Sequence, residues 1–402
     1  MAKIITDKNK IEELLSLGSV DLIVKESLRQ RLYSGCQLRI KHGIDPTGPK
    51  IHLGRASTMR KLARFQELGH KIVLIVGDFT AQIGDASDKN EERPMLTREQ
   101  VKKNLKNYLG QINKILDIKK AEVHYNSQWL AKLNYYDFCR QANIFSVAQM
   151  LDRENFSQRF KTGVRISLRE FLYPLMQGYD SVAIKADIEI GGSDQLFNML
   201  AGRELQRLYG QLPQDIITYK LLDGTDGRKM STSWGNIILI TDEPNEMFGK
   251  IMSMKDELMI QYFELATDVP MPEIKEIENK LKNNSVNPRD IKIRLALEIV
   301  SIYHGAKLAQ KAKENFEKVF QKKETPEKVT SFKLQVSSYK LIDLLIETKL
   351  AASKNEARRV IEQGGVKIDD QIIKDPSCQI EINKKGKIIQ KGKRQFVRVI
   401  KK

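Results

Sequence analysis

With 402 residues, 41% of them hydrophobic, the chain can bury sizeable cores and is long for one domain, so two or three are expected. The net charge of +17 points to a polyanionic partner, nucleic acid before membrane, and 16 Lys/Arg against 8 Asp/Glu from Tyr339 onward place about half of that excess near the C-terminus. The longest apolar run (Ile72 to Val76) is too short to span a bilayer, the start MAKIITDKNK lacks a signal-peptide core, and Cys36, Cys139 and Cys378 form neither a disulfide framework nor a zinc ribbon; a soluble cytoplasmic protein is expected.

Residues 1–240 alternate strand-like and helix-like segments. LRIKHGID reads as a strand that runs into the turn DPTGP, after which His52-Leu53-Gly54-Arg55 opens a helix. KIVLIVGDF is a continuous apolar run, as in a central parallel strand. LTREQVKKNLKNYLGQINKIL is predicted as one helix, with a Thr97/Gln100 capping box and Val101, Leu105, Leu109, Ile112 and Leu116 on one face. AEVHYN and ADIEIGG read as further strands. Between them SLREFLYPLMQGYDS is a helix, capped by Ser167 and Glu170, that puts Tyr173, Gln177 and Asp180 on one face. The alternation predicts an α/β, Rossmann-like, doubly wound parallel sheet with ligands at the carboxyl ends of its strands.

Residues 241–323 show no strand pattern and predict an all-helical domain, in which DIKIRLALEIVSIYHGAKLAQKAKENFEKVF forms a long helix. Residues 324–335 are polar and aperiodic and read as a linker. Residues 336–402 read as a small α+β unit. Its helices are YKLIDLLIETKL and SKNEARRVIEQGG, the second capped by Ser353 with Glu356 and closed by Gly364-Gly365; the strands VKIDD, CQIEI, KIIQ and QFVRVI follow.

Two stretches carry chemistry. The helix start at HLGR offers free N–H groups to a phosphate, Gly54 lets a flat base lie against the backbone, and His52 and Arg55 share a face from which both can donate to anionic oxygens. GRKMSTSWGN (Gly227 to Asn236) sets the cation Lys229 and the hydroxyls Ser231 and Ser233 between hinges at Gly227 and Gly235. Such a loop can close over a triphosphate. Alone, the first reads better as an ordinary helix start and the second as a solvated loop. Neither a Walker A nor a GxGxxG pattern competes for a nucleotide.

Together the two resemble the HIGH and KMSKS signatures of class I aminoacyl-tRNA synthetases. Tyr173-x-x-x-Gln177-x-x-Asp180 followed by IGGSDQ resembles the amino-acid pocket of the tyrosyl-tRNA synthetase family, and VGDFTAQIGD falls in the same order, so the likeness spans nearly the whole chain. It implies that tyrosine is activated with ATP, a substrate accompanied by Mg2+, and passed to tRNA(Tyr). It implies a homodimer, no membrane, no tightly bound cofactor and no protein-bound metal. By this resemblance Asp180 would accept the substrate phenol's hydrogen bond, Tyr173, Gln177 and Asp85 would hold its α-ammonium, and Gln195 would orient its carboxylate. ATP would lie against Asp45, His52, Leu53, Gly54, Arg55, Gly192, Asp194, Lys229, Met230, Ser231 and Ser233. His52, Arg55, Lys229, Ser231 and Thr232 would be its catalytic groups. The C-terminal unit resembles the S-four-like RNA-binding domain, with Ser353, Lys354, Arg358, Arg359, Lys393 and Arg394 as its RNA contacts.

Three positions depart from that pattern. Arg55 replaces the last His of HIGH, Thr232 replaces the second Lys of KMSKS, and Lys41-His42 stands where many members have a Tyr that shares the phenol, so no second phenol contact is assigned. Arg55 is expected to supply part of the charge that Thr232 removes. Two alternatives stay open. One is the tryptophanyl-tRNA synthetase family, against which the Gln177/Asp180 spacing and the C-terminal unit speak. The other is an RNA-binding protein on a degenerate synthetase scaffold, against which Lys229 and the complete pocket set speak.

Overall fold

The computed structural model describes residues 3–85, 92, 94–231, 234–321, 330–334, 338–369, 371–383, 386–392 and 395–401. They fall into two compact units, one of Met1–Glu243 with Lys250–Tyr303 and one of Pro244–Gly249 with His304–Lys402. No helix among the described residues is long and apolar enough to cross a membrane.

The first unit is built on a six-stranded sheet: β1 (Ser19–Ile23), β2 (Arg39–Ile44), β3 (Lys71–Val76), β4 (Glu122–Tyr125), β5 (Ile188–Gly192) and β6 (Asp215–Tyr219), in the order β1-β6-β5-β2-β3-β4. All neighbours are parallel except β1, which runs antiparallel to β6. Strands β2 to β5 lie in the segments LRIKHGID, KIVLIVGDF, AEVHYN and ADIEIGG that read as strands. Strands β1 and β6 fall outside those segments: SVDLI has Asp21 in its middle, where the carboxylate accepts from the Thr218 hydroxyl at 2.5 Å.

From β2 the chain winds outward through β3 and β4, then returns to lay β5 on the other side of β2. That reversal is the switch point at which such sheets bind ligands. The β2–β5 ladder has two register pairs, Ile40↔Ile188 and Lys41↔Glu189. Past it, the His42 ring meets the Ile190 carbonyl at 2.9 Å, and the two strands open into a crevice.

Two predicted helices are broken. Arg98–Leu105 keeps its Thr97/Gln100 capping box, but Asn107 turns left-handed (φ 62°) before Tyr108–Ile112 begins. The break swings Tyr108 and Gln111 inward; Gln111 then donates to the Pro49 carbonyl (2.8 Å) and accepts from the Ile51 amide (3.0 Å), bracing the approach to HLGR. The long C-terminal helix divides at Gly305 (φ 85°) into Pro288–His304 and Ala306–Gln321, a left-handed turn that glycine makes without strain. From residue 241 to 321 the named elements are all helices.

In the second unit β7 (Thr330–Leu334), β8 (Ser338–Lys340), β9 (Val366–Ile368), β10 (Gln371–Ile373), β11 (Gln379–Glu381), β12 (Lys387–Lys391) and β13 (Gln395–Lys401) form a five-stranded sheet, β10-β9-β12-β13-β7, and a β11-β8 pair. Helices Leu341–Glu347 and Lys354–Glu362 pack Leu341, Leu344, Leu345 and Ile361 against Val366, Ile389 and Val399. The linker reading fails over residues 330–334, which pair in parallel with β13; residues 324–329 and 335 lie outside the described residues. Tyr339 and Lys340 are likewise strand, not the start of a helix.

Candidate active site

At the mouth of the crevice the HLGR helix and the KMSTS loop meet. His52 is the N-cap of Leu53–Glu67. The Leu53 amide donates to the Ile238 carbonyl (2.8 Å), and the Gly54 amide to the Met230 sulfur (3.3 Å). His52 Nδ1 is buried without a partner among the described residues. Burial, then the nearby cations Arg55 and Lys229, push the imidazole down to about 3, so it is neutral and offers that nitrogen to an incoming oxygen.

The loop is tied down through Asn236, whose side chain accepts from the Ser231 amide (2.8 Å) and donates to Asp226 (2.8 Å) and to the Lys229 carbonyl (3.1 Å). Gly227 (φ 83°) and Gly235 (φ 68°) occupy left-handed turns at its ends. Arg228 lies over the Trp234 ring at 4.7 Å. Lys229 Nζ reaches Asp194 Oδ2 at 3.0 Å, so the loop cation meets the carboxylate that follows β5. Thr232 and Ser233 lie outside the described residues.

Behind the mouth, carboxylates from three elements are held by hydrogen-bond donors. Asp45, at the end of β2, accepts from the Thr80 hydroxyl (2.7 Å) and from the Tyr173 phenol (2.9 Å), and burial pushes it up to about 6. Asp180 is 3% exposed and accepts from Trp129 Nε1 (2.7 Å) and Asn126 Nδ2 (3.3 Å); burial pushes it up to about 7. Asn126 also donates to the Thr80 hydroxyl (2.9 Å), which links the two acids. A second chain of bonds begins at Asp85, which accepts from Gln195 (2.8 Å). Asn198 donates to both Gln195 (3.0 Å) and Gln177 (3.1 Å), and Gln177 donates to Glu189 (3.2 Å). The structure thus gathers Asp45, Asp85, Tyr173, Gln177, Asp180 and Gln195 around one crevice. Gly192 and Asp194 sit at the end of β5 beside it.

Thr80, Asn126, Trp129, Asn198 and Asn236 were not singled out from the sequence. Asn126 alone had a signal, since it closes the strand segment AEVHYN at a carboxyl end, where ligands gather.

Arg55 is already engaged by the fold. Its guanidinium donates to the Asp45 carbonyl (3.1 Å), the Tyr108 hydroxyl (2.9 Å) and Thr47 Oγ1 (2.7 Å). These bonds brace the strand-to-helix turn, and they favour a positioning role over compensation for Thr232. In the activity that the resemblance implies, the effects of Arg55→His, Thr232→Lys and the double variant on single-turnover adenylate formation should therefore be additive. A coupling of about 0.5–3 kcal/mol would restore the compensation account.

In the second unit Ser353 caps its helix by accepting from the Glu356 amide (3.2 Å), Lys354 pairs with Asp343 (2.9 Å), and Arg358 and Arg359 are exposed. Lys393 and Arg394 lie outside the described residues. No group of three or more His, Cys, Asp or Glu among the described residues could hold a metal ion.

A doubly wound sheet whose switch point joins an HLGR helix to a KMSTS loop defines a class I synthetase core, and the chain belongs to that family: the sequence model of the tRNA synthetases class I (W and Y) matches residues 34–321. A model of the tyrosine--tRNA ligase SYY-like C-terminal domain matches residues 321–399. The chain is 49% identical to the tyrosine--tRNA ligase of Thermotoga maritima, with 96% of each chain covered. It is 46% identical to that of Aquifex aeolicus, over 96% of this chain and 97% of the relative. In fold it is similar to the tyrosyl-tRNA synthetase of Archaeoglobus fulgidus complexed with L-tyrosine (TM-score 0.62, 22% identity, covering 76% of this chain and all of that one). A C-terminally truncated mitochondrial tyrosyl-tRNA synthetase of Aspergillus nidulans gives a TM-score of 0.64 at 22% identity, covering 78% and 95%.

Proposed function

We propose that this chain activates L-tyrosine with ATP and transfers it to tRNA(Tyr). A tyrosine carboxylate oxygen attacks the α-phosphorus of ATP, the bond to the β-phosphate oxygen breaks, and tyrosyl-adenylate and pyrophosphate form. A hydroxyl of the terminal tRNA ribose then attacks the activated carbonyl, AMP leaves, and the hydroxyl proton is lost. A carboxylate needs no general base in the first step, so positioning and charge stabilisation suffice. ATP arrives with Mg2+, which neutralises its phosphates.

The observation that carries this reading is Asp180, a buried carboxylate held by Trp129 and Asn126 and joined through Thr80 to Asp45 below the HLGR turn. It is matched to the one polar atom that separates tyrosine from phenylalanine. Gln177, Tyr173 and Asp85 supply the ammonium's acceptors, and Gln195 faces the carboxylate. His52 offers its buried nitrogen to a phosphate oxygen, and Lys229 exchanges Asp194 for phosphate as Asp194 turns to the ribose. Leu53, Gly54, Gly192, Met230, Ser231, Thr232 and Ser233 complete the ATP site. The working form is a cytoplasmic homodimer.

ATP–pyrophosphate exchange over a panel of amino acids tests this directly. Tyrosine should support exchange, while tryptophan and phenylalanine should not. Exchange driven by tryptophan, or by none of the panel, overturns the reading.

The RNA role belongs to the C-terminal unit, through Ser353, Lys354, Arg358, Arg359, Lys393 and Arg394, with the helical region 241–323 set for the anticodon arm. Because β7 pairs with β13, a clean removal must begin at Thr330. Deleting Thr330–Lys402 should spare exchange and slow tRNA charging more than tenfold, and tRNA affinity of the whole chain should fall steeply with salt. Charging at the full rate without these residues would end their RNA role.

A further inference from the structure

Away from the crevice, the C-terminal half of the Leu53–Glu67 helix faces the Lys8–Ser16 helix and the segment from Glu264 to Val269. Between them lies a cavity of about 150 Å³. Leu14, Leu17, Leu68, Leu265 and Val269 give it apolar walls. Lys61 also lines it, although that residue is only 7% exposed. Its Nζ stands 5.4 Å from the centroid of the Tyr219 ring. Among the described residues it makes neither an ion pair nor a hydrogen bond.

The neighbouring charges are otherwise engaged. Arg60 and Arg64 both bind Asp268, at 2.6 and 2.5 Å, and Glu264 takes Lys220 at 3.1 Å. Glu13 and Lys10 are on the exposed rim. A ring face offsets part of the cost of burying an ammonium, but its three N–H donors have no protein acceptor among the described residues. Burial accordingly pushes Lys61 down to about 8.

We propose that this cavity binds a small monocarboxylate with an apolar body, its carboxylate on Lys61 and its body against the leucine and valine walls. Size and charge both bear on the ligand class. A cavity of this volume takes a molecule of about one aromatic ring. A single negative charge matches the one buried lysine of the wall, Lys61, the other lining lysine, Lys10, being exposed at the rim, whereas a phosphate would bring a second charge toward Asp268 and Glu264. The inference rests on none of the residues assigned to tyrosine or ATP, so it stands or falls separately from the proposed activity.

Calorimetric titration of the full chain, its amino-acid site saturated with tyrosine, tests it with benzoate as the probe. Benzoate should bind saturably at one site, and benzamide at least tenfold more weakly. Lys61→Met, which keeps the apolar stem, should weaken benzoate at least tenfold and leave tyrosine-dependent exchange unchanged. Val269→Phe, which fills the cavity from the opposite wall, should abolish benzoate binding with Lys61 intact. Equal benzoate affinity in the parent and Lys61→Met, no saturable benzoate binding in the parent, or inorganic phosphate binding tighter than benzoate would each overturn the proposal.

Discussion

Asp180→Asn is expected to lower kcat/KM for tyrosine by roughly 10- to 100-fold in ATP–pyrophosphate exchange while leaving KM for ATP unchanged, because a hydrogen bond to a charged acceptor contributes about 1.5–3 kcal/mol. Two donors, Trp129 and Asn126, already occupy the carboxylate, and its remaining lone pairs can take the substrate phenol. The amide that replaces it turns a donor toward one of these donors, so the pocket loses both charge and acceptor capacity. Phenylalanine never used the bond, so its turnover should hold. Rejection of phenylalanine, about 10⁴–10⁵ at sites built to bind a hydroxyl, should then drop by the same factor as tyrosine turnover.

The pH profile gives a second reading of the same variant. Asp180 is ionised only above about 7 and Asp45 above about 6, both raised by burial, so kcat/KM for tyrosine should fall as pH drops through this range. In Asp180→Asn the limb near 7 should vanish and the lower one remain. The sign for stability is opposite to that of a salt-bridged carboxylate. The native state holds the Asp180 proton from the ordinary 3.8 up to about 7, where the unfolded chain has released it. Stability from this group is therefore present at low pH and lost as pH rises through that window. An unchanged kcat/KM would remove Asp180 from the site, and an unchanged limb would assign the titration to another group.

The sequence was most legible where one local pattern decides the outcome. A continuous apolar run located β3, and the capping boxes at Thr97/Gln100 and Ser167/Glu170 form as read. HLGR and KMSTS are likewise local, and their meeting at Gly54 and Met230 follows the reading that paired them. Long-range pairing decided the rest. β7 exists because β13 accepts it, more than sixty residues later, and nothing in VTSFKLQ announces that partner. The helix at 98–112 breaks because Tyr108 and Gln111 are needed by the turn around Thr47 to Ile51, which no periodicity records. Arg55 illustrates the limit best. Its type promised a cation for phosphate, but the fold supplies three oxygens of its own first.

Lys41→Met is expected to cost about 3–5 kcal/mol of stability, the usual result of breaking one side of a buried ion pair. Lys41 and Glu189 face each other across the last β2–β5 register pair, with side chains 0% and 2% exposed and 3.0 Å between Nζ and Oε1. The ammonium also donates to the Ser181 hydroxyl (2.7 Å) and the Gln177 carbonyl (2.8 Å), so its three donors have three acceptors. Removing it strands Glu189, and Lys41→Met/Glu189→Gln should recover most of the loss in denaturant melts. The double variant then isolates a second role. Lys41 grips the residues on either side of Asp180 in the helix, and its positive charge is the strongest influence opposing the burial that raises Asp180; Glu189 acts more weakly in the other direction. With both removed, Asp180 should move above its present value of about 7, and the acid limb of kcat/KM for tyrosine should move up with it. Activity would then recover toward alkaline pH. By that account a charge beside Asp180 favours its ionised form, the form that the proposed function needs. Stability loss with the limb unmoved would make Lys41 a purely structural cation and end that account.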